Sequence, residues 1–190
     1  MNAIVALTTP THLKLRIADF LLLHDAGAFV DFAKTELIDG DVVYMNAQHR
    51  PHSFAKNLLA RRLDAALAAV APHLSMLIEV SVAMPPNDVP EPDIVVTSEP
   101  RGEGPVPLAS VALCVEVADA SRDHDLRTKV ALYARQGVPE YWVVDLNANM
   151  VVCMSEPGDG GYGRCRDIAF GQPIVAATID GLSVATDGLS

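Results

Sequence analysis

Two acidic residues, Asp93 and Glu116, stand in segments that are otherwise apolar and rich in β-branched residues. Asp93 opens the run "DIVV" directly after Pro92, and Glu116 interrupts the run "VALCVEVA". A carboxylate inside a strand is costly to bury unless it is paired, hydrogen-bonded or bound to a cation. Each acid is therefore either a solvent-facing residue at the end of a strand or part of a functional site.

A lysine follows in the next segment of the chain. Asp125, Lys129 and Tyr133 are spaced i, i+4 and i+8, which places them along one side of a helix. The simpler interpretation is a surface Asp–Lys pair beside a packed tyrosine. However, two acids on separate strands and a nearby lysine are also the set that metal-assisted phosphodiester hydrolysis requires. The carboxylates would bind Mg²⁺ or Mn²⁺ through hard oxygen ligands, and the lysine would orient water or stabilise developing charge.

The elements that must position these residues are indicated by periodicity and turn signals. The sequence predicts an amphipathic helix for "HLKLRIADFLLLHDAG", a hairpin at Asp-Gly in "KTELIDGDVVYM" and a long helix for "PHSFAKNLLARRLDAALAAVAP". It predicts one strand for "LSMLIEVSVAM", further strands for "DIVVT", "VALCVEVA", "PEYWVVDL" and "MVVCMS", and a tail of weaker, short strands.

A helix over "DLRTKVALYARQG" lies between two of these strands, so residues 111–145 should form a right-handed parallel crossover. The alternation of helices and strands predicts a mixed α/β fold with a central sheet flanked by helices. The whole of 1–190 is expected to be one domain, with a core over about 13–154 and a C-terminal β extension over about 155–190.

Composition limits the classes of function. The chain has 190 residues, of which half are apolar and 20% are charged, which suits a folded domain with a real core. No apolar run has the length of a membrane span, no secretion signal is recognisable, and an odd number of cysteines without C-x-x-C favours a cytoplasmic protein. The net charge of −10 opposes a broad, nonspecific nucleic-acid surface but allows a local basic groove or a metal that bridges to phosphate.

Four segments, in this order, resemble the Uma-type family of restriction endonucleases within the PD-(D/E)xK nuclease superfamily: "TELIDGDVVYM", "PEPDIVV", "LCVEVADAS" and "DLRTKVALYARQGVPEYWVVDL". The resemblance runs over about residues 13–154. Pro92-Asp93 matches the "PD" of the superfamily, and Glu116-Val117-Ala118 takes the place of "(D/E)xK". Alanine therefore stands where the pattern has lysine, and Lys129 matches the family's lysine on the following helix.

This resemblance implies a restriction-endonuclease-like fold, DNA as the substrate and a divalent cation, Mg²⁺ or Mn²⁺. The implied metal ligands are Asp93, Glu116 and the carbonyl of Val117, with the helix lysine as the catalytic cation. Glu36 matches the family's early acid and is implied as a further metal or water ligand. His52 matches a histidine of the family before the long helix and is expected at the rim of the site.

Basic residues around the long helix have competing interpretations. His49 and His52 form H-x-x-H, but no acid is spaced to complete a zinc site, so a role at the helix start or on the surface is favoured. Lys56, Arg61 and Arg62 could contact a phosphate backbone. The acidic net charge favours the alternative that they form the solvated face of the helix.

Two other functions remain open at this stage. Ala118 and the acidic composition allow a catalytically inactive nuclease fold that serves as a binding or assembly module. The same residues would also suit a hydrolase of another phosphate ester. Self-association as a homodimer through a sheet edge is a further expectation.

Overall fold

The computed structural model describes residues 12–45, 48–118 and 123–190, and for 123–126 the description is limited to the backbone. Fifteen helices and strands follow one another along these ranges. In chain order they are α1 (Ile17–Asp25), β1 (Lys34–Ile38), β2 (Asp41–Met45), α2 (Arg50–Val70), β3 (Ser75–Ile78), β4 (Val82–Ala83), β5 (Ile94–Thr97), β6 (Val106–Pro107), β7 (Val111–Ala118), α3 (Asp123–Arg135), β8 (Glu140–Asp145), β9 (Met150–Gly158), β10 (Gly161–Ala169), β11 (Ile174–Val175) and β12 (Ser183–Val184). No helix in these ranges is long and apolar enough to cross a membrane.

A six-stranded sheet with the order β10-β9-β8-β7-β5-β3 forms the centre of the fold. Strands β7 and β8 are parallel, with Glu116 beside Val143, and the other neighbours are antiparallel. Helix α3 connects the two parallel strands, as the strand–helix–strand pattern predicts. The mixed central sheet with flanking helices is therefore confirmed.

Side chains of β7 alternate between the two faces of the sheet. Leu113 and Val115 belong to a core that includes the apolar side of α2. Cys114 and Ala118 belong to a second core that includes Leu132 of α3. Because successive side chains in a strand point to opposite faces, Glu116 lies on the face that α3 covers.

The β1–β2 hairpin lies beside the segment that leads to Asp93. Its turn has Asp39 and Gly40 at φ of 50° and 75°, the left-handed pair that a two-residue hairpin turn requires, as the Asp-Gly signal predicts. Leu37 and Val89 exchange both backbone hydrogen bonds, at 3.2 and 2.7 Å. This bridge brings the side chains of β1 next to the start of β5.

Two sequence predictions of the strands are wrong. Residues 74–84 do not form one strand, because Glu79 has a φ of +51° and separates β3, which pairs with β5, from β4, which pairs with β6. The C-terminal tail is not only short strands, because β10 is nine residues long and forms an edge of the central sheet. None of its nine residues is buried and five are exposed, and such an edge strand gives only a weak apolar signal in the sequence.

Glu140, at the start of β8, joins the C-terminal segment to the sheet through hydrogen bonds. Its fully buried carboxylate accepts hydrogen bonds from the indole Nε1 of Trp142 at 2.7 Å and from the backbone N–H of Ala177 and Thr178 at 2.9–3.0 Å. The hydroxyl of Thr178 donates a further bond at 2.9 Å. One carboxylate thus satisfies four donors from two distant parts of the chain.

We expect Glu140→Gln to lower the free energy of unfolding by about 3 kcal/mol, because the amide nitrogen would face donors that need an acceptor. Urea denaturation followed by tryptophan fluorescence measures this change. Glu103→Gln makes the same substitution on an exposed loop and should stay within about 0.5 kcal/mol of the parent. Equal urea midpoints for the two variants would contradict this role of Glu140.

Candidate active site

The Asp93 carboxylate lies just before β5 and is held by three donors. Its Oδ1 accepts a hydrogen bond from Gln48 Nε2 at 2.9 Å, and its Oδ2 accepts one from the Val117 N–H at 2.8 Å. His52 Nε2 lies 3.0 Å from the same Oδ2. Burial alone would raise the pKa of Asp93, but the hydrogen bonds from His52 and Val117 outweigh it and hold the pKa at about 2. Asp93 is therefore an oriented, buried anion at neutral pH.

The Glu116 carboxylate is held from the α3 side. Its Oε1 accepts hydrogen bonds from Lys129 Nζ at 2.8 Å and from the Tyr133 hydroxyl at 3.1 Å. Burial raises the pKa of Glu116, the charge of Lys129 opposes that rise, and the charge of Asp93 adds to it. The i, i+4 spacing of Lys129 and Tyr133 thus delivers both donors to one carboxylate oxygen.

Lys129 also binds Glu36, which comes from the hairpin. Lys129 Nζ donates a hydrogen bond to Glu36 Oε1 at 2.9 Å, and the backbone N–H of Glu91 donates another to the same oxygen at 3.0 Å. Burial lowers the pKa of Lys129, but the negative charges of Glu116 and Glu36 outweigh burial and raise it. The ammonium therefore stays charged and bridges two buried carboxylates from different strands.

The backbone of Val117 faces Asp93. The β5–β7 ladder begins at the pair Ile94–Val115, so Val117 lies two residues beyond it and its N–H binds the Asp93 side chain instead of a strand. The N–H and C=O of a residue in an extended strand point to the same flank. The Val117 carbonyl is therefore directed toward the flank on which Asp93 lies.

The positions still to be described are Asp125, Ala118 and the two histidines of H-x-x-H. The side chain of Asp125 lies outside the described residues. Ala118 is buried in the core under α3, so the lysine next to Glu116 comes from the helix and not from the end of β7. His49 takes the N-cap position of α2, in agreement with a role at the helix start, whereas His52 is buried against Asp93 and lies neither on the surface nor at the rim of the site, the two positions that the sequence suggested.

The structure contradicts the interpretation of Lys56 that the sequence favoured. It is 5% exposed and does not belong to a solvated helix face. Its Nζ donates hydrogen bonds to Gln48 Oε1 and Glu79 Oε1, each at 2.5 Å, and lies 4.0 Å from Asp93 Oδ1. The signal was present in the sequence, because Lys56 follows His52 by four residues and must share its side of α2.

Lys34 is a second residue that the sequence reasoning missed. Its Nζ donates a hydrogen bond to the Glu91 carbonyl at 2.6 Å and lies 3.7 Å from Glu36 Oε1. A spacing of two along β1 places Lys34 and Glu36 on one face, which is the signal that could have identified it. Lys34, Glu79 and Glu91 line a cavity of about 550 Å³ beside these acids.

The donor set suits a hard divalent cation. Asp93 and Glu116 supply carboxylate oxygens from neighbouring strands, and oxygen ligands are those that Mg²⁺ and Mn²⁺ prefer. Across the described residues, no group of three or more His, Cys, Asp or Glu side chains converges as a metal site. A third such side chain is not required, because Mg²⁺ in proteins is commonly bound by one or two carboxylates together with waters and a substrate phosphate.

Comparison with known proteins identifies the family and the fold of the chain. The profile of the Uma2 family, described as "putative restriction endonuclease", matches residues 19–187. The crystal structure of "a putative nuclease belonging to DUF820" from Anabaena variabilis ATCC 29413 superposes with a TM-score of 0.67 at 15% identity, covering 92% of this chain and 97% of that one. No curated protein gives a significant match. The fold is therefore the one that the sequence resemblance implies.

We expect Lys129→Met to lower the free energy of unfolding by about 3–5 kcal/mol near pH 8, because two buried carboxylates lose their shared cation. Without Lys129 the pKa of Glu116 rises further above its unfolded value. Stability from a raised carboxyl pKa is present at low pH and is lost as pH rises through the folded pKa. The variant should therefore be closer to the parent in stability at about pH 5 than at about pH 8.

Urea denaturation in a chelating buffer at the two pH values measures this difference. Lys14→Met removes a lysine from an exposed pair with Asp41 and should leave the urea midpoint almost unchanged at both pH values. Adding Glu116→Gln to Lys129→Met should restore at least about 1 kcal/mol at the higher pH. A pH-independent loss in Lys129→Met would show that its effect is only lost packing.

Proposed function

This chain belongs to the Uma2 family, and from that premise we propose that it is a metal-dependent endonuclease that hydrolyses DNA phosphodiester bonds. The observation that carries the proposal is that Asp93 and Glu116 lie at the same end of the neighbouring strands β5 and β7, with Asp93 bound to the Val117 N–H, Glu116 bound to Lys129, and all three charged groups buried. Buried charges of this kind are costly for stability, and a functional requirement accounts for their retention.

Asp93 and Glu116 are the proposed ligands of Mg²⁺ or Mn²⁺, and the Val117 carbonyl is the proposed third. Such a cation, when bound, polarises a phosphate oxygen and lowers the pKa of bound water. The low pKa of Asp93 supports its role, because it remains an anion that needs no deprotonation before it binds a cation. The hydrogen bonds from Gln48 and Val117 support it further, because they fix the carboxylate in one orientation.

Lys129 is the proposed catalytic cation of a PD-(D/E)xK-type site whose usual lysine position is Ala118. Its raised pKa supports this role, because a permanently charged ammonium can stabilise charge that develops on phosphate or orient the attacking water. Glu36 and Tyr133 are proposed as supports: Glu36 holds the ammonium, and Tyr133 holds the Glu116 carboxylate. The accessory role of Asp125 and the homodimer stay predictions.

We expect the parent protein to cleave supercoiled plasmid with Mg²⁺ or Mn²⁺ and to lose cleavage in a chelating buffer. Asp93→Asn and Glu116→Gln keep the shape of each side chain but remove its charge, so each should slow cleavage by about 100-fold or more. The rate is measured by gel in a time course under single-turnover conditions. Arg61→Gln, on the exposed side of α2, should cleave like the parent.

The outcomes separate the competing functions. Equal cleavage by the parent and Asp93→Asn would reject the proposed site. No cleavage by the parent with either metal, combined with saturable Mn²⁺ binding that Glu116→Gln abolishes, would indicate a binding module that retains the metal site. Hydrolysis of RNA or of small phosphodiesters without hydrolysis of DNA would assign the site to another phosphate ester.

A further inference from the structure

A strained residue lies beside the proposed metal ligands. Glu79 has a φ of +51°, in the left-handed region that non-glycine residues seldom occupy and that often marks functional sites. Its N–H donates a hydrogen bond to the backbone carbonyl of Asp93 at 3.2 Å, and its side chain reaches Lys56. The strained backbone thus places an acid against a lysine at the Asp93 end of the site.

The two partners of this ion pair differ in their exposure. The Lys56 side chain is 6% exposed, whereas the Glu79 side chain is 43% exposed. Glu79 also lines the cavity of about 550 Å³ beside the site, and Lys56 does not. The Glu79 carboxylate therefore lies between open space and the buried ammonium.

We propose that Lys56 binds a phosphate of the DNA substrate next to Asp93, and that Glu79 is the counter-ion that occupies Lys56 until that phosphate replaces it. The inference deepens the proposed nuclease function and depends on it. An anionic phosphate oxygen can take the place of a carboxylate oxygen without leaving the ammonium unpaired. The exchange also removes a negative charge from the path of the substrate, so the Lys56–Glu79 pair is autoinhibitory.

The other two lysines of the site are less suited to such an exchange. Lys129 is enclosed by Glu36 and Glu116, whose side chains are buried. Lys34 donates to the Glu91 backbone carbonyl, which cannot move away as a side chain can, and its acidic side-chain partners Glu36 and Glu91 are less exposed than Glu79. Lys56 has an exposed side-chain acid as a partner, and its other partner, Gln48, links it to Asp93. A phosphate on Lys56 would therefore lie within reach of the proposed metal ligands.

DNA binding measured by fluorescence anisotropy tests the inference. The probe is a labelled duplex whose phosphorothioate linkages resist cleavage. Affinity is measured in the presence of Mg²⁺ at salt concentrations from about 50 to about 200 mM. Lys56→Gln should weaken binding about five- to tenfold and reduce the slope of log K against log salt by about 0.9, the loss of one phosphate contact. Glu79→Gln should bind the duplex about three- to tenfold more tightly, because it frees Lys56.

Arg61→Gln removes a charge from the exposed side of the same helix and should leave the affinity and the slope unchanged. An unchanged slope in Lys56→Gln, weaker or unchanged binding in Glu79→Gln, or a parent protein that does not bind the duplex at low salt would each overturn the inference. Glu79 is partly exposed, so its variant tests the inference even where Lys56→Gln does not fold. Thermal unfolding identifies that case.

The binding result is independent of the cleavage result. A reduced slope in Lys56→Gln together with unchanged cleavage in Asp93→Asn would leave the phosphate contact in place and reject the proposed nuclease site. Loss of cleavage in Asp93→Asn with an unchanged slope in Lys56→Gln would support the proposed nuclease site and reject the phosphate contact of Lys56. The two failures are therefore distinguishable.

Discussion

The Lys129 ammonium lies between the buried carboxylates of Glu36 and Glu116, and this contact joins three parts of the fold. Glu36 comes from the hairpin, Glu116 from the centre of the sheet and Lys129 from the helix that crosses over it. A buried carboxylate without a partner costs several kcal/mol, so each of these elements can bury its charged group only when the other two are in position. Together with the Leu37–Val89 backbone bridge, the same contact positions the hairpin, which pairs with no strand of the central sheet.

The two flanking helices act on different carboxylates. Helix α2 supplies His52 and Lys56 to Asp93, whereas α3 supplies Lys129 to Glu116. The environments therefore move the two pKa values in opposite directions: hydrogen bonds lower that of Asp93, and burial raises that of Glu116. Carboxylates whose pKa values are separated in this way are typical of sites where neighbouring acids have different roles. The division follows from the fold, because each helix covers its own face of the sheet.

Local patterns in the sequence predicted the fold more completely than they predicted the site. The Asp-Gly turn and the parallel crossover followed from short-range rules, and the i, i+4 spacing brought Lys129 and Tyr133 to the same carboxylate. Glu79 was not predictable, because its left-handed backbone is imposed by pairing on both sides with strands distant in sequence. Lys56 was misinterpreted because the net charge is a sum over the whole chain and does not show which lysine is buried in an ion pair with one particular acid.

The charges of the site explain how an acidic protein could act on a polyanion. Hydrogen bonds and ion pairs join three lysines to five carboxyl groups, so the acids at this end of β5 and β7 outnumber the lysines by two; the acids are Glu36, Glu79, Glu91, Asp93 and Glu116. A DNA phosphate would be repelled by this excess. One divalent cation would balance it, and displacement of the Glu79 side chain would open Lys56 to a phosphate. The excess of acid therefore supports the proposal that the site accepts a phosphate only with a divalent cation bound, so that the cation would be needed for substrate binding as well as for chemistry.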